Sequence, residues 1–492
     1  MWFTPRRRNR SSASEVGVPE RSRPELARRR TAPWFRLQLE ALEDRLVLST
    51  INVTTTADGV AGSLRAAIIQ ANASHGHDTI IVPAGSYTLT LAGANEDYAA
   101  TGDLDIRDDL TISGAGQFVT NINGAGLDRV FHVFGAKVAI SGVTIEGGIA
   151  GQGGGIFNNG GDVTLSQCSV FGLAVGLPGG AVEGGGIFNA AGTLNISGSS
   201  IGGHASGGEG SSGGSALGGG IYLDTGSTLV VSNAFLKGAA FGGAGGAGGT
   251  GGSAAGGSIY AAAGASVSVT NSQFDESTAE GGTAGVGGSS GVGAGGAIYD
   301  AGADLAVAQS TFTENAASGG TNLFGALGGN GMGGAIFVAG GNASVVNSVF
   351  EFNSANGGGG ADGLGGGIYL AAGNLALANS TLVANETDRT SGINGMGGGI
   401  YQSAGTLTVD HCSLSGNMAG SSEGGVALGG GIYVGGGTPT LTNTTVSGNS
   451  AEIGGGLYIA GGSVCMDKAT FLAIANNFAS TYPDIFGPFT IC

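Results

Sequence analysis

Apolar and polar residues alternate through much of this chain. Asp103-Leu104-Asp105-Ile106-Arg107 and Val138-Ala139-Ile140-Ser141-Gly142-Val143-Thr144-Ile145 put every second side chain on one face, the pattern of short strands buried on one side. From residue 153 the alternation is punctuated by a cassette of glycines, an aliphatic residue and an aromatic. It reads first as Gly153-Gly154-Gly155-Ile156-Phe157 and last as Gly454-Gly455-Gly456-Leu457-Tyr458. The aromatic falls at Phe157, Phe188, Tyr222, Tyr260, Tyr299, Phe337, Tyr369, Tyr401, Tyr433 and Tyr458, 31 to 39 residues apart and 25 at the end. A period of that size predicts a solenoid whose coils share one core.

Alignment on the aromatic predicts three short strands per coil. Ten residues on lie Gln167, Gln309, Asn347, Asn379, His411 and Asn443, with Asn233 and Asn271 displaced by one. Three further on comes an apolar rung of Val170, Phe312, Phe350, Leu382, Leu414, Val446 and then Phe471. Three beyond that is a second amide column, Asn315, Asn353, Asn385, Asn417 and Asn449. Coils stack about 4.8 Å apart, so equivalent amides at the bends reach one another and form ladders. The longer coils add 6 to 14 residues between the second amide column and the next Gly-Gly, as in Gly242-Gly243-Ala244-Gly245-Gly246. Such Gly-rich additions are expected to be flexible filler along one edge, with a partner-binding ridge as the other reading.

Ahead of the coils the pattern differs. Residues 1–32 are rich in Arg, Ser, Pro and Glu and read as a disordered basic leader. In 33–49, Leu39, Leu42 and Leu46 keep helical spacing, but charges break any apolar core of a signal peptide. Residues 50–100 read as a cap: strand Ile51-Asn52-Val53, a helix opening at Ser63 with Leu64, Ala67, Ile68 and Ala71 on one face, then two strands across 78–91. The helix proper is assigned to 101–480, and 481–492, with its aromatics and Pro483 nearby, to a C-terminal cap.

Composition narrows the choice. Of 492 residues, 105 are Gly and 41% are apolar, too hydrophobic for disorder, and no Gly-X-Y period marks collagen. Eleven of the 18 Lys and Arg precede residue 50, so the rest is acidic and repels nucleic acid and anionic lipid. No stretch is apolar for the 18 to 20 residues that a membrane-spanning helix requires. Among the four cysteines only Cys465 and Cys492 are near enough to pair, and free buried thiols remain the alternative.

Three resemblances add expectations. Leu39-Glu40-Ala41-Leu42-Glu43-Asp44-Arg45-Leu46-Val47-Leu48-Ser49 resembles the LExLExRxLLS motif of planctomycete extracellular proteins, which implies export to the cell surface or the medium. Ser63-Leu64-Arg65-Ala66-Ala67-Ile68 resembles the CSLREAI cap of bacterial right-handed parallel β-helix proteins, with Gly62 for the usual Cys and Ala66 for Glu. Gly295-Gly296-Ala297-Ile298 and Phe312-Thr313-Glu314-Asn315 resemble the GGAI and FxxN repeats of polymorphic outer-membrane adhesins, which implies adhesion. The fold class expected is therefore all-β, a single right-handed parallel β-helix of the pectin-lyase-like kind, about a dozen coils and roughly 55 to 60 Å long.

Many proteins of the fold that this chain resembles cleave acidic glycans, using Asp clusters, Ca²⁺ and an Arg or Lys base. Here Gly238 to Asp388 holds no Lys or Arg, which leaves the early coils. Asp103, Asp105, Arg107, Asp108 and Asp109 are the densest ionisable cluster and the source of any acid and base pair; solvated turn carboxylates are the plainer reading. Asp362, in the calcium-roll nonapeptide Gly357-Gly358-Gly359-Gly360-Ala361-Asp362-Gly363-Leu364-Gly365, is the candidate Ca²⁺ ligand, although one copy in a Gly-rich chain is expected by chance. His75 and His77 with Asp78 could hold a metal near the cap, with no fourth ligand in sequence, His411 replaces an amide at a bend, and His204 reads as solvated. The expectation is a non-enzymatic exported or cell-surface scaffold or adhesin whose partners are polysaccharide or other surface components, with a polysaccharide lyase or glycoside hydrolase as the alternative.

Overall fold

The structure, a computed structural model, describes residues 49–492 apart from His75, Asn95, 322–326, 389–392 and Glu423. The basic leader, nearly all of the export-type motif and the His75 candidate therefore lie outside the described residues. Within them, one coil runs Ile368–Leu370 and Asn374–Ala378 in the first sheet, Thr381–Val383 and Glu386–Thr387 in the second, and Gly395–Met396 in the third. Ile368 pairs in parallel with Ile336 of the preceding coil and Ile400 of the next. The chain is a right-handed parallel β-helix, the hand that twisted parallel strands impose on their crossovers. The three strands expected per coil are three sheets, and bends divide the first two, so that a coil carries five short segments.

Inward positions form one continuous core. Ile187, Ile221, Ile259, Ile298, Ile336 and Ile368 are buried, and so is the second-sheet rung of Phe274, Phe312, Phe350, Leu382, Leu414 and Val446. Rings of that rung stack at 4.6 Å, the spacing of the strands that carry them. Phe471 does not continue the rung. It lies on the helix Lys468–Ala473, and Ile474 pairs with Val446 in its place.

The two amide columns have different causes. Gln167, Asn233, Asn271, Gln309, Asn347, Asn379, His411 and Asn443 all turn a corner with φ between 48° and 52°, a left-handed conformation that Asn tolerates better than most side chains. Asn233 and Asn271 stand at that corner with the others. Asn315, Asn353, Asn385, Asn417 and Asn449 form a true buried ladder. Each Nδ2 donates to the next Oδ1 at 2.8 to 2.9 Å, and Asn477 and the Asp484 carboxylate complete it. A third column was not anticipated: Ser199, Ser272, Ser310, Ser348, Ser380 and Thr444 accept the amide of the preceding coil through their hydroxyls. Cys168 and Cys412, buried free thiols, occupy this column.

The Gly-rich additions are packed against one another. Gly252 N donates to Gly243 O at 2.9 Å within a coil, and Gly282 N to Gly252 O at 2.7 Å between coils. A Cβ on Gly252 would lie 1.9 Å from Gly214 O, and one on Gly291 1.8 Å from Gly252 O. The residues are glycine because backbone touches backbone, not because the segment is filler.

At the N-terminal end the helix Leu64–Ala73 starts at Ser63, whose hydroxyl accepts the Ala66 amide, and buries Leu64, Ala67, Ile68 and Ala71. At the other end, Ile485–Phe486 and Phe489–Ile491 extend the first sheet in register with Leu457 and Val464, and Cys465 is bonded to Cys492.

Candidate functional site

Strand Leu104–Ile106 turns Leu104 and Ile106 into the core, so Asp103 and Asp105 leave it on the other face, where the preceding loop covers them. That loop is pinned by Arg65 on the capping helix. Its guanidinium, ion-paired to Asp58 at 2.8 Å, donates to the carbonyls of Ala99, Gly102 and Asp103. Asn72 of the same helix bonds Asp105 O and the Arg107 amide. A cap residue invisible as chemistry in the sequence thus fixes the acidic strand.

Asp105, His132 and Phe157 are successive rungs in one register. Asp105 Oδ2 accepts the Ala99 amide at 2.6 Å, while Oδ1 is buried without a partner and faces His132 Nδ1 at 3.6 Å. His132 packs on Phe134 and Phe157, with Nε2 also unpartnered. Arg129 reaches Asp103 at 3.7 Å and lies over the Phe157 ring. Arg107 sits between the Tyr98 and Phe134 rings. Burial, reinforced by Asp105 and Asp128, pushes the Asp103 carboxyl up to about 8. Burial, with Glu96 and Asp97 nearby, takes Asp105 up to about 6. Burial and the two guanidiniums push His132 down to about 3, so the imidazole is neutral at ordinary pH.

Of the expected cluster, then, Asp103, Asp105 and Arg107 converge and are joined by Asp97, Asp128, Arg129 and His132. Asp108 and Asp109 stand apart: Asp108 Oδ1 accepts the Asp109 amide, and Asp109 Oδ1 accepts the Lys137 amide of the next coil. Asp362 belongs to an edge column in which its amide donates to Asn330 and its carboxylate accepts from Asn394. His411 Nδ1 meets Asp410 at 2.9 Å at an exposed bend, and His77 meets Thr111 at 2.8 Å. His132 was missed, although it stands one bare coil, 25 residues, before Phe157 in Val130-Phe131-His132.

The cassette aromatics form a column of rings stacked at about 5 Å, from Phe157 to Phe486. Each inner ring has a neighbour against both faces, so those faces are closed to a ligand. Exposed aromatic side chains lie elsewhere, on the outside of the second sheet. There Phe171 and Phe235 are 42% and 36% exposed, and His204 stands edge-on between Phe171 and Phe241. His204 is exposed to solvent, as expected, but it stands in strand Ser200–Ser206 beside an aromatic cluster and not in an insertion. A cavity of about 270 Å³ lined by Phe171, His204, Phe235, Lys237 and Glu276 adjoins one of about 420 Å³ lined by Gln117, Asn233, Asn271 and Gln273. Glu276 is ion-paired with Lys237. A trough of about 520 Å³ on the first sheet is lined by Ser268, Ala306 and Ser344 and edged by Asp304, Asn342 and Asn374, which are bonded to one another, and no aromatic ring lines it.

No family model matches the chain, and no curated protein matches it. Solved structures that resemble it include the catalytic domain of a family 87 alpha-1,3-glucanase in complex with nigerose, at 13% identity and TM-score 0.38 over 92% of this chain and 69% of that one. The mannuronan C-5 epimerase A-module of Azotobacter vinelandii matches at 13% and 0.29, over 87% and 94%. The Dettilon tailspike protein matches at 9% and 0.26, over 90% and 68%. At these TM-scores the likenesses carry no argument, and the fold rests on the strand pairing itself.

Proposed function

We propose that this chain is a non-enzymatic, exported or cell-surface β-helix that binds a neutral polysaccharide across the outer face of its second sheet. The observation that carries this is the groove lined by Phe171, His204 and Phe235, where two exposed aromatic side chains lie beside amides and one ion pair. Apolar faces with a few fixed polar groups suit a sugar ring. Strand Ser200–Ser206, with seven residues, gives the groove a length of about 20 Å, enough for an extended chain. Residues 50–492 carry 29 acidic and seven basic side chains, so a polyanionic glycan would be repelled. The Cys465–Cys492 disulfide supports an oxidising, extracytoplasmic setting, and no helix among the described residues is long and apolar enough to cross a membrane.

A glycan array with the full chain, followed by titration of the best neutral oligosaccharide, tests the proposal. Phe171→Ala and Phe235→Ala should each weaken binding about tenfold without release of new reducing ends. Equal binding by both variants would sink it.

One observation favours the enzymatic alternative: Asp103 and Asp105 are neighbouring carboxyls with pKa values held apart, the signature of an acid and base pair. Against it, the two residues are only 3% and 0% exposed, so a glycosidic oxygen does not reach them. Cleavage of an acidic glycan that disappears in Asp105→Asn would establish this alternative.

A further inference from the structure

The geometry points to a binding site for one divalent transition-metal ion of the Zn²⁺ class, formed by Asp97, Asp105 and His132 at the N-terminal end of the aromatic column. The ligand atoms of these three side chains lie within 4.8 Å of one another. They come from three consecutive pieces of the fold, the covering loop and two stacked strands, so folding alone assembles them.

Two observations separate this cluster from an ordinary group of surface acids. Asp105 is fully buried and yet leaves Oδ1 without a hydrogen bond, and that oxygen faces Nδ1 of His132, itself only 8% exposed. Buried polar atoms in that condition cost free energy unless something meets them. The nearby cations do not take this place: Arg107 is spent on two rings and the Asp97 carbonyl, and Arg129 on Asp103 and the Phe157 ring. Moreover, the 3.6 Å between Asp105 Oδ1 and His132 Nδ1 is too long for a good hydrogen bond. It is near the roughly 3.4 Å that separates two ligands on one tetrahedral ion with bonds of about 2.1 Å.

The donor set selects the metal. One neutral imidazole with two carboxylates suits Zn²⁺, Co²⁺ or Mn²⁺, with water completing the coordination, whereas Ca²⁺ prefers six to eight oxygens. Asp97 is exposed and gives the ion its way in. The site does not depend on the glycan groove, which lies on another sheet.

The test uses the full chain stripped with chelator and titrated with Zn²⁺ or Co²⁺ by calorimetry, with Co²⁺ absorption as a second readout. One equivalent should bind in the wild type. His132→Gln should abolish that equivalent. Asp97→Asn, at an exposed position where the fold is not at stake, should weaken it at least tenfold. Ca²⁺ should not compete. Unchanged Zn²⁺ stoichiometry and affinity in Asp97→Asn, or no saturable binding by the wild type, would overturn the assignment.

Discussion

At the residue scale, asparagine occurs in two columns for two reasons, and substitution should tell them apart. Asn385 Oδ1 accepts both the amide and Nδ2 of Asn353, while its Nδ2 donates to Phe350 O and Asn417. Asn385→Ala removes all four bonds and leaves the Asn353 amide without its acceptor, although Asn353 Nδ2 keeps Phe312 O and Asn417 Oδ1 keeps the Asn385 amide, at a cost of about 3 kcal/mol; hydrogen exchange should show it as lost protection in that coil and its neighbours. Asn379→Gly, at a left-handed corner with φ 49°, should cost little. The sequence shows both columns as recurrences and says nothing of the sign of φ, which is why they looked alike. Asp103, Asp105 and Arg107 were legible as a cluster for the same reason that His132 was not. Charges adjacent on one strand are visible at once, whereas a partner one coil away is found only by extending the register backwards past the first glycine cassette. Asp300 offers a pH test. It is buried, with Oδ1 accepting from Gly302 and Ala303 and Oδ2 unpartnered, and burial pushes its carboxyl from 3.8 to about 6. Because the folded pKa is raised, the protein gives up nothing at this site below about pH 4, and loses stability as pH rises through 6. Asp300→Asn should therefore raise the melting temperature at pH 7.5 by the equivalent of about 3 kcal/mol, and the gain should vanish by pH 4.

At the element scale, the cassette was readable because each of its residues answers a different constraint. Gly365 takes φ +67°, Gly366 lies against Glu386 O and Gly398 O where a Cβ would come within 2.4 Å, Ile368 enters the core and Tyr369 joins the stack. Gly366→Ala should consequently disrupt its coil, with a loss well above the 1 kcal/mol of a simple glycine replacement. Gly359→Ala, with nothing within 4 Å of the added carbon, should be silent in thermal melts. The Gly-rich edge was misjudged because its composition equals that of a flexible linker. A physical signal was present all the same: Gly214, Gly252, Gly291 and Gly329 recur at 38, 39 and 38 residues, the same steps as Tyr222, Tyr260, Tyr299 and Phe337. A linker has no reason to keep pace with the core. Strand count was legible only to the level of the sheet, since the bends that divide a strand are single residues such as Glu276 or Phe352 at positive φ, chemically unremarkable for that role.

At the scale of the whole molecule, a stack in which each coil pairs only with its two neighbours loses stability locally. The ends are the exposed surfaces of such a stack, and the two ends of the described stack are built differently. The first coil has the helix Leu64–Ala73 laid over it. The last has strand Phe489–Ile491, tied by Cys492 to Cys465 across 27 residues. Closing a loop of that size removes unfolded-state entropy worth roughly 3 to 4 kcal/mol, but in a one-dimensional fold that contribution should reach only the coils in contact with the bond. Cys492→Ser should therefore raise hydrogen exchange at Ile485–Phe486, Phe489–Ile491 and Val464–Met466 by about two orders of magnitude. Amides of Ile298–Asp300 and Ile336–Val338, several coils away, should exchange as in the wild type. An equal loss of protection in both places would mean that the ten stacked cassettes unfold as one cooperative unit, and that the terminal disulfide guards the whole core and not its edge alone.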